Sequence, residues 1–181
     1  HLTTTRKAIE NKGIQEEIER ILKTTIDELE KVLMGVIYVG ELTPKSRDYV
    51  LSFGERLSTP IIWGTLRDLK LTAQYFTGGE IGIVTDSNFG EARPLMNVTK
   101  HQVREKTEPL LERGVVPVIT GYIAATQDGV TTTFGRGGSD YTATIIGAAL
   151  AADEVWIWTD VDGLMTSDPK IVSSAKMMPK L

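Results

Sequence analysis

Residues 131–150 read TTTFGRGGSDYTATIIGAAL, and the order of residue types in this segment indicates the kind of fold. The β-branched residues at its start favour a strand, and the Ala-rich part from Ser139 to Ala152 favours a helix. Three glycines stand between them, at positions 135, 137 and 138. Glycine lets the backbone turn sharply and come close to a ligand. The stretch therefore predicts a strand, a tight turn and a helix, as expected in a layered α/β domain.

The turn between this strand and this helix has the features of an anion-binding site. The start of the helix offers unpaired N–H groups and the positive end of its dipole, and Arg136 adds a forked cation suited to a carboxylate or phosphate. A plain turn with Ser139 as the helix N-cap explains one or two glycines, but not an arginine among three of them. The turn is neither a Walker A loop, because no Gly-Lys-Ser/Thr follows, nor a dinucleotide fingerprint, because Asp140 replaces the last glycine.

Helices are predicted before this unit. Residues 14–34 repeat apolar side chains at helical spacing, with Gly35 after the expected end. A second helix is expected from Thr43 as N-cap and Pro44 in the first turn, broken or restarted near Pro60. Residues 98–113 form a third, with Gly114 as its stop.

Strands are predicted between and after these helices, at 71–76, 82–85, 115–120 and 155–158. Apart from Thr120, the last two are apolar, as expected for strands covered by helices on both faces. Residues 78–79 predict a turn, and residues 127–129 predict a hairpin turn.

Composition excludes several classes of protein. The chain has 181 residues, 41% of them hydrophobic and 24% charged, which fits one globular domain. A net charge of -4 predicts no nucleic-acid partner. The absence of cysteine excludes disulfides and zinc thiolate sites. With no apolar run long enough to span a bilayer and no signal-peptide pattern, we expect a cytoplasmic protein with no membrane partner.

Two further segments are candidates for chemistry. Asp160, Asp162 and Asp168 follow the carboxyl end of the 155–158 strand, where α/β sheets bind ligands. They are suited to ribose hydroxyls or indirect Mg²⁺ contacts, and a polar turn is an equally good interpretation. In SFGERLS (52–58), a glycine beside Glu55 suggests the close approach of another group, and the alternative is a surface Glu-Arg pair on a helix.

These segments occur together in an order that resembles the aspartate kinases of the amino acid kinase family. The matching segments are SFGERLS (52–58), TTTFGRGGSDYTA (131–143) and WTDVDGLMTSDPK (158–170), with ELTPKSRD (41–48) and GIVTDSNFG (82–90) in support. The RGGSD form separates aspartate kinases from relatives that act on glutamate, acetylglutamate, carbamate or UMP. The resemblance implies a three-layer α/β/α fold like that of carbamate kinase, with a mainly parallel sheet and an added helical element on its N-terminal side.

The resemblance also implies roles for individual residues. Glu55 is expected to bind the substrate amino group, and Arg136 a substrate carboxylate. Tyr122 stands where the family usually has Phe lining the aspartate pocket, and Ser139 is expected to touch the substrate. Asp140 is expected to orient lysines that handle the transferred phosphoryl group.

The implied reaction converts L-aspartate and MgATP to 4-phospho-L-aspartate and ADP, the first step of lysine, threonine and methionine biosynthesis. The residues expected to line the ATP site are Thr159, Asp160, Asp168 and Lys170. Met165 replaces an aromatic residue that the family usually carries near the adenine, and Lys170 stands where Arg is common. The family usually forms homo-oligomers, which we expect of the full-length parent.

The sequence departs from the family most clearly at its ends. The family opens with a Lys-Phe-Gly-Gly-Thr-Ser loop that supplies a phosphate-binding lysine, and it carries C-terminal ACT domains; neither is found in residues 1–181. We therefore expect a partial catalytic domain with little turnover. Two alternatives stay open: another amino acid kinase with a different acid substrate, and an inactive module that only binds ligands or contacts a subunit.

Overall fold

The computed structural model describes residues 1–158, 163, 165–168 and 171–178 of the chain. Over these residues the architecture is mixed α/β. The elements are, in order, α1 (Leu2–Ala8), α2 (Lys12–Val39), α3 (Pro44–Asp68), β1 (Ala73–Phe76), α4 (Gly78–Ile81), β2 (Val84–Thr85), α5 (Met96–Glu112), β3 (Val116–Ile119), β4 (Ile123–Thr126), β5 (Thr131–Thr133) and α6 (Gly138–Leu150). Among the described residues, no helix is both long enough and apolar enough to cross a membrane.

Helices α1, α2 and α3 pack around an apolar core of their own. The Asn11 side chain starts α2 by accepting a hydrogen bond from the Ile14 N–H, and Thr43 starts α3 by accepting one from the Ser46 N–H, as the sequence predicts for Thr43. The side chains buried together between the helices are Ile9, Ile18, Leu22, Leu57 and Ile61. This helical unit lies at the N-terminal side, where an added helical element is expected.

The five strands form two small sheets. β1 pairs with β3 in parallel, with Ala73 opposite Val116. In the second sheet β2 pairs in parallel with β4, and β4 pairs antiparallel with β5 across the predicted hairpin turn. Helices α4, α5 and α6 enclose a second core with these strands, and its buried members are Ile81, Ile83, Val103, Leu110, Ala124, Phe134, Ile145 and Ala149.

Several helix boundaries differ from the sequence prediction. Helix α2 continues through Gly35 and ends at Gly40, whose φ of 72° is the left-handed conformation that stops a helix. Helix α3 is continuous through Pro60, which is buried. The proline removes one helical hydrogen bond, but α3 packs against α2 on one side and β1 and β5 on the other, and this packing holds the helix together.

The predicted turn at 78–79 is the start of helix α4. The Thr77 hydroxyl accepts a hydrogen bond from the Glu80 N–H, and the Glu80 carboxylate accepts one from the Thr77 N–H. This reciprocal capping box satisfies two donors that would otherwise be unpaired. It starts a helix where the two glycines alone suggest a turn.

Of the two strands predicted to be covered by helices on both faces, the one at 115–120 forms and the one at 155–158 does not. β3 forms, but its side chains are exposed or only partly buried. Residues 155–158 form no strand, and Trp158 is 87% exposed. An apolar segment becomes a strand only where its backbone N–H and C=O groups find a neighbouring strand, and no strand in the described part of the chain pairs with 155–158.

Candidate functional site

Glu55 is the centre of the site, because its carboxylate joins two loops. Helix α3 carries the side chain to the end of β3, where Oε2 accepts a hydrogen bond from the Gly121 N–H at 3.2 Å. The Ser139 hydroxyl donates a longer hydrogen bond to Oε1, at 3.4 Å. Glu55 of the SFGERLS segment and Ser139 of the RGGSD segment, 84 residues apart in the chain, therefore meet in space.

The electrostatic state of Glu55 follows from its half-buried position. Burial raises the pKa of the Glu55 carboxyl above its ordinary value of 4.5, and the hydrogen bonds from Gly121 and Ser139 oppose that rise. A carboxylate has about four acceptor positions, so the two donors leave capacity for another. The site thus offers a negative group with room for an incoming donor such as an ammonium.

Arg136 lies on the glycine-rich turn that leads into α6. The side chain is exposed, and Gly137, the next residue, is the N-cap of α6 with a φ of 76°. The expectation that Ser139 caps this helix is wrong, because Ser139 lies inside its first turn and its hydroxyl bonds to Glu55 instead. No described side chain caps α6. Arg136 directly precedes the N-cap residue Gly137, so it lies on the same turn as the first N–H groups of this helix. Asp140 is exposed in the first turn of α6.

Tyr122 packs against the same turn in a strained backbone conformation. Its φ of 64° is unusual for a residue other than glycine. Its N–H donates to Thr142 Oγ1 at 3.0 Å, and its C=O accepts from the Phe134 N–H at 3.0 Å. A Cβ on Gly138 would stand 2.8 Å from Tyr122 Cδ2. The structure thus brings Glu55, Tyr122 and Ser139 together around the turn that carries Arg136.

An open groove of about 530 Å³ runs between β3 and α6, and Gly121 and Ser139, the two residues that donate to Glu55, are among its lining residues. Gly121, Ser139 and Thr142 line the end near Glu55, and Val155 lines the far end. Its volume lies in the range of small-molecule sites. Its lining is mainly apolar between the two ends.

Arg56 does not pair with its neighbour Glu55, so the interpretation of SFGERLS as a surface Glu-Arg pair is wrong. The Arg56 guanidinium binds Glu28 of α2, with Nη2 and Oε2 2.7 Å apart, and it stacks on the Phe53 ring 4.4 Å from the ring centroid. Tyr49 also donates a hydrogen bond to Glu28. Glu55 and Arg56 therefore bind different elements, and Arg56 joins α3 to α2.

Sequence reasoning gave no role to Gly121, Thr142 or Asp48. Asp48 is fully buried, with no exposed surface, and it accepts hydrogen bonds from the Gly90 N–H, the Thr133 N–H and the Thr133 hydroxyl, each at 2.9 Å. The one available signal is its spacing, seven residues before Glu55 on the same helix. That spacing places both carboxylates on one face of α3.

Of the residues predicted to line an ATP site, Asp168 belongs to the described part of the chain. Thr159, Asp160 and Lys170 lie outside the described residues, as does Asp162. Asp168 is exposed, and its backbone carbonyl accepts hydrogen bonds from the N–H groups of Ile171 and Val172. Among the described residues, no three His, Cys, Asp or Glu side chains stand close enough together to hold a metal ion.

The sequence profile described as the Amino acid kinase family matches residues 3–181. The chain belongs to the amino acid kinase family. Among curated relatives, it is 38% identical over 162 residues to aspartokinase 1, chloroplastic, of Arabidopsis thaliana, which covers 89% of this chain and 28% of that protein. It is 36% identical over 168 residues to lysine-sensitive aspartokinase 3 of Escherichia coli (strain K12), which covers 93% of this chain and 36% of that protein.

The chain is also similar to solved structures of aspartokinases, again over part of their length. E. coli aspartokinase III in complex with aspartate and ADP, in its R-state, is 34% identical with a TM-score of 0.81, covering 95% of this chain and 37% of that one. The same enzyme in complex with lysine and aspartate, in its T-state, is 31% identical with a TM-score of 0.68, covering 98% and 43%. This family member thus spans less than half the length of these relatives.

Proposed function

We propose that the protein takes part in aspartate kinase chemistry: it binds L-aspartate and ATP, and the γ-phosphoryl group moves to the side-chain carboxylate of aspartate. The observation that carries this proposal is the meeting of Glu55 with Gly121 and Ser139 at the turn that bears Arg136. An amino acid needs an anionic anchor for its ammonium and a cationic anchor for its carboxylate. Glu55 and Arg136 have the charges for these two roles, and Tyr122 and Ser139 line the space beside them.

The reaction needs little acid or base from the protein. An oxygen of the aspartate side-chain carboxylate attacks the γ-phosphorus of ATP, the bond from that phosphorus to the β,γ-bridging oxygen breaks, and ADP leaves with the electron pair. A carboxylate with a pKa of about 3.9 is already ionised at neutral pH, so no general base is required. Positioning and charge neutralisation carry the catalysis. Asp140 is proposed to orient the cationic groups that meet the phosphates.

ATP and Mg²⁺ belong to the same proposal. The relative with bound ADP supports a nucleotide site, and we assign Thr159, Asp160, Asp168 and Lys170 to it. Mg²⁺ is usually held by one or two carboxylates together with substrate phosphates. The lack of a three-residue acidic cluster among the described residues is compatible with that mode, in which the metal would neutralise phosphate charge.

We extend the proposal to the fold and the setting of the protein. The match to the R-state enzyme supports the three-layer α/β/α amino acid kinase arrangement. A homo-oligomer and a cytoplasmic location stay predictions. Light scattering tests the first, and localisation in cells tests the second, since some relatives are named chloroplastic.

The proposal is tested by measuring turnover and binding separately. ADP release is followed in a coupled assay with L-aspartate, and the acyl phosphate product is trapped with hydroxylamine. Glutamate and N-acetylglutamate replace aspartate in parallel reactions to test for another acid substrate. Calorimetric titration with aspartate and with MgATP measures binding without turnover.

Each outcome of these measurements is decisive. Aspartate-dependent ADP release supports the proposal. Binding without turnover favours the alternative of an inactive ligand-binding module for this chain. Preference for another acid, or no binding of aspartate, refutes the assignment of aspartate as substrate.

A further inference from the structure

Helix α3 reaches the strand ends with two carboxylates on one face. Asp48 and Glu55 are separated by seven residues, about two helical turns or roughly 10 Å along the axis. Asp48 binds Gly90 and Thr133, and Glu55 binds Gly121 and Ser139. Helix α3 thus binds four residues, which lie in the loops, strand and helix packed against it.

These contacts lie on both sides of the turn that carries Arg136. Thr133 ends β5 directly before the turn, and Ser139 stands directly after it in the first turn of α6. Asp48 fixes Thr133 through both its N–H and its hydroxyl, whereas Glu55 fixes Ser139 through its hydroxyl. The turn is therefore held between two carboxylates of the same helix.

Asp48 also supports the turn from the neighbouring loop. It accepts a hydrogen bond from the Gly90 N–H at 2.9 Å, and the Gly90 carbonyl oxygen would be 3.0 Å from a Cβ placed on Gly135. Gly135 is the residue before Arg136, so the loop at Gly90 packs directly against the turn. A fully buried carboxylate is stable only while its hydrogen-bond donors stay in place. Asp48 therefore holds Gly90 and Thr133 at fixed positions relative to each other.

We propose that Asp48 is a positioning residue: together with Glu55 it clamps the Arg136 turn to α3 and sets the distance between the two charged anchors for the substrate. The inference rests on the proposed function for its ligand, aspartate, but the clamp itself is a property of the chain. Asp48 acts through Thr133 and Gly90, and it does not touch the substrate.

The sharpest test compares two buried threonines. Thr133 and Thr99 both have no exposed surface, and the Thr99 hydroxyl bonds to Val84 in the sheet core rather than to the clamp. Thr133→Val removes the Oδ1 contact of Asp48, and Thr99→Val is the matched control. We expect Thr133→Val to weaken aspartate binding on the order of tenfold in calorimetric titration, while Thr99→Val keeps wild-type aspartate affinity and both keep MgATP affinity.

Variants of Asp48 separate positioning from a charge effect. Asp48→Asn keeps the shape and one acceptor oxygen, and the Thr133 hydroxyl is able to rotate to accept from the new amide. We expect Asp48→Asn to restore most of the aspartate affinity that Asp48→Ala loses. Equal losses in the two variants contradict positioning and favour a direct effect of the charge.

Hydrogen exchange tests the clamp without any ligand. We expect the amides of Gly90 and residues 134–138 to exchange faster in Thr133→Val than in wild type, and to be unchanged in Thr99→Val. If wild-type protein fails to bind aspartate, the proposed function fails while this measurement still decides the clamp. Unchanged exchange in Thr133→Val overturns the inference. If the wild-type protein binds aspartate, a Thr133→Val variant that binds it with the same affinity overturns the inference as well.

Discussion

Gly121 and Ser139 touch so closely that no side chain fits between them: a Cβ on Gly121 would lie 2.8 Å from Ser139 Oγ and 3.0 Å from Ser139 Cα. The same two residues donate to the Glu55 carboxylate. The close approach therefore brings the end of β3 and the start of α6 to one carboxylate. Everything proposed for the site depends on that approach.

A methyl group at position 121 should disturb the site. In Gly121→Ala the new Cβ meets the backbone of Ser139, so the loop or the helix has to move, and the two hydrogen bonds to Glu55 weaken. We expect aspartate affinity to fall on the order of tenfold, measured by calorimetric titration. Gly35→Ala is the control, because no described atom lies within 4 Å of its Cβ position; equal affinities in the two variants would refute the prediction.

The pH dependence of binding should report Glu55. Its raised pKa means that the carboxyl is protonated at higher pH than an ordinary Glu, mainly because it is half-buried. An ammonium binds the ionised form, so aspartate affinity should fall as pH drops from about 8 towards and through this raised pKa, above 4.5. We expect Glu55→Gln to bind aspartate weakly and with little pH dependence over that range.

The raised pKa of Glu55 also predicts how stability depends on pH. The protein should become less stable as pH rises, whereas its affinity for aspartate should increase. The folded-state pKa of Glu55 lies above the unfolded-state value, so the folded protein binds the proton more tightly. The contribution of Glu55 to the free energy of unfolding therefore decreases as pH rises from the unfolded-state pKa through the folded-state pKa. Urea unfolding above this window should show Glu55→Gln at least as stable as wild type, and a large loss of stability would contradict the assigned cause.

Replacing Arg136 should affect ligand binding and leave the fold unchanged. The side chain is exposed on its turn, so its removal opens no cavity. We expect Arg136→Ala to weaken aspartate binding by about tenfold to a hundredfold, and Arg136→Lys to recover only part of this because lysine lacks the planar fork. Arg104→Lys, exposed on α5 beside Glu108, is the control, and its affinity should equal that of wild type.

Two glycines of α3 should respond to alanine in opposite directions. A Cβ on Gly64 would lie 2.7 Å from Ile18 Cγ1 and 2.7 Å from Ile9 Cδ1, within the core of the helical unit. A Cβ on Gly54 would have no described atom within 4 Å. We expect Gly64→Ala to lower the free energy of unfolding by about 1–3 kcal/mol. Gly54→Ala should raise it by about 0.5–1 kcal/mol through helix propensity. Chemical unfolding measures both, and a stabilised Gly64→Ala would contradict the packing.

The free space around Gly54 also affects the interpretation of the SFGERLS segment. Its place beside Glu55 suggested the close approach of another group, but no described atom of the chain requires glycine there. Close approach by a ligand stays a prediction. At Gly121, to which sequence reasoning gave no role, the packing of the protein itself requires glycine.

Local patterns predicted much of the secondary structure because their causes are local. Apolar spacing located α2, the Thr43-Pro44 pair located the start of α3, and residues 127–129 located the hairpin turn. Two of the wrong predictions involve distant partners. Pro60 stays inside a helix because packing holds it, and residues 155–158 form no strand because a strand needs a neighbour.

The class of the fold, the family and the glycine-rich turn with its arginine could be predicted from the sequence, because these depend on residue order and spacing along the chain. The contacts of Glu55 with Gly121 and Ser139 rather than Arg56, and the burial of Asp48 against Thr133, became known from the folded arrangement. A carboxylate bonds to whichever donors the packing of α3 against the strands and α6 places beside it. That packing joins residues up to 85 positions apart, and no local pattern records it.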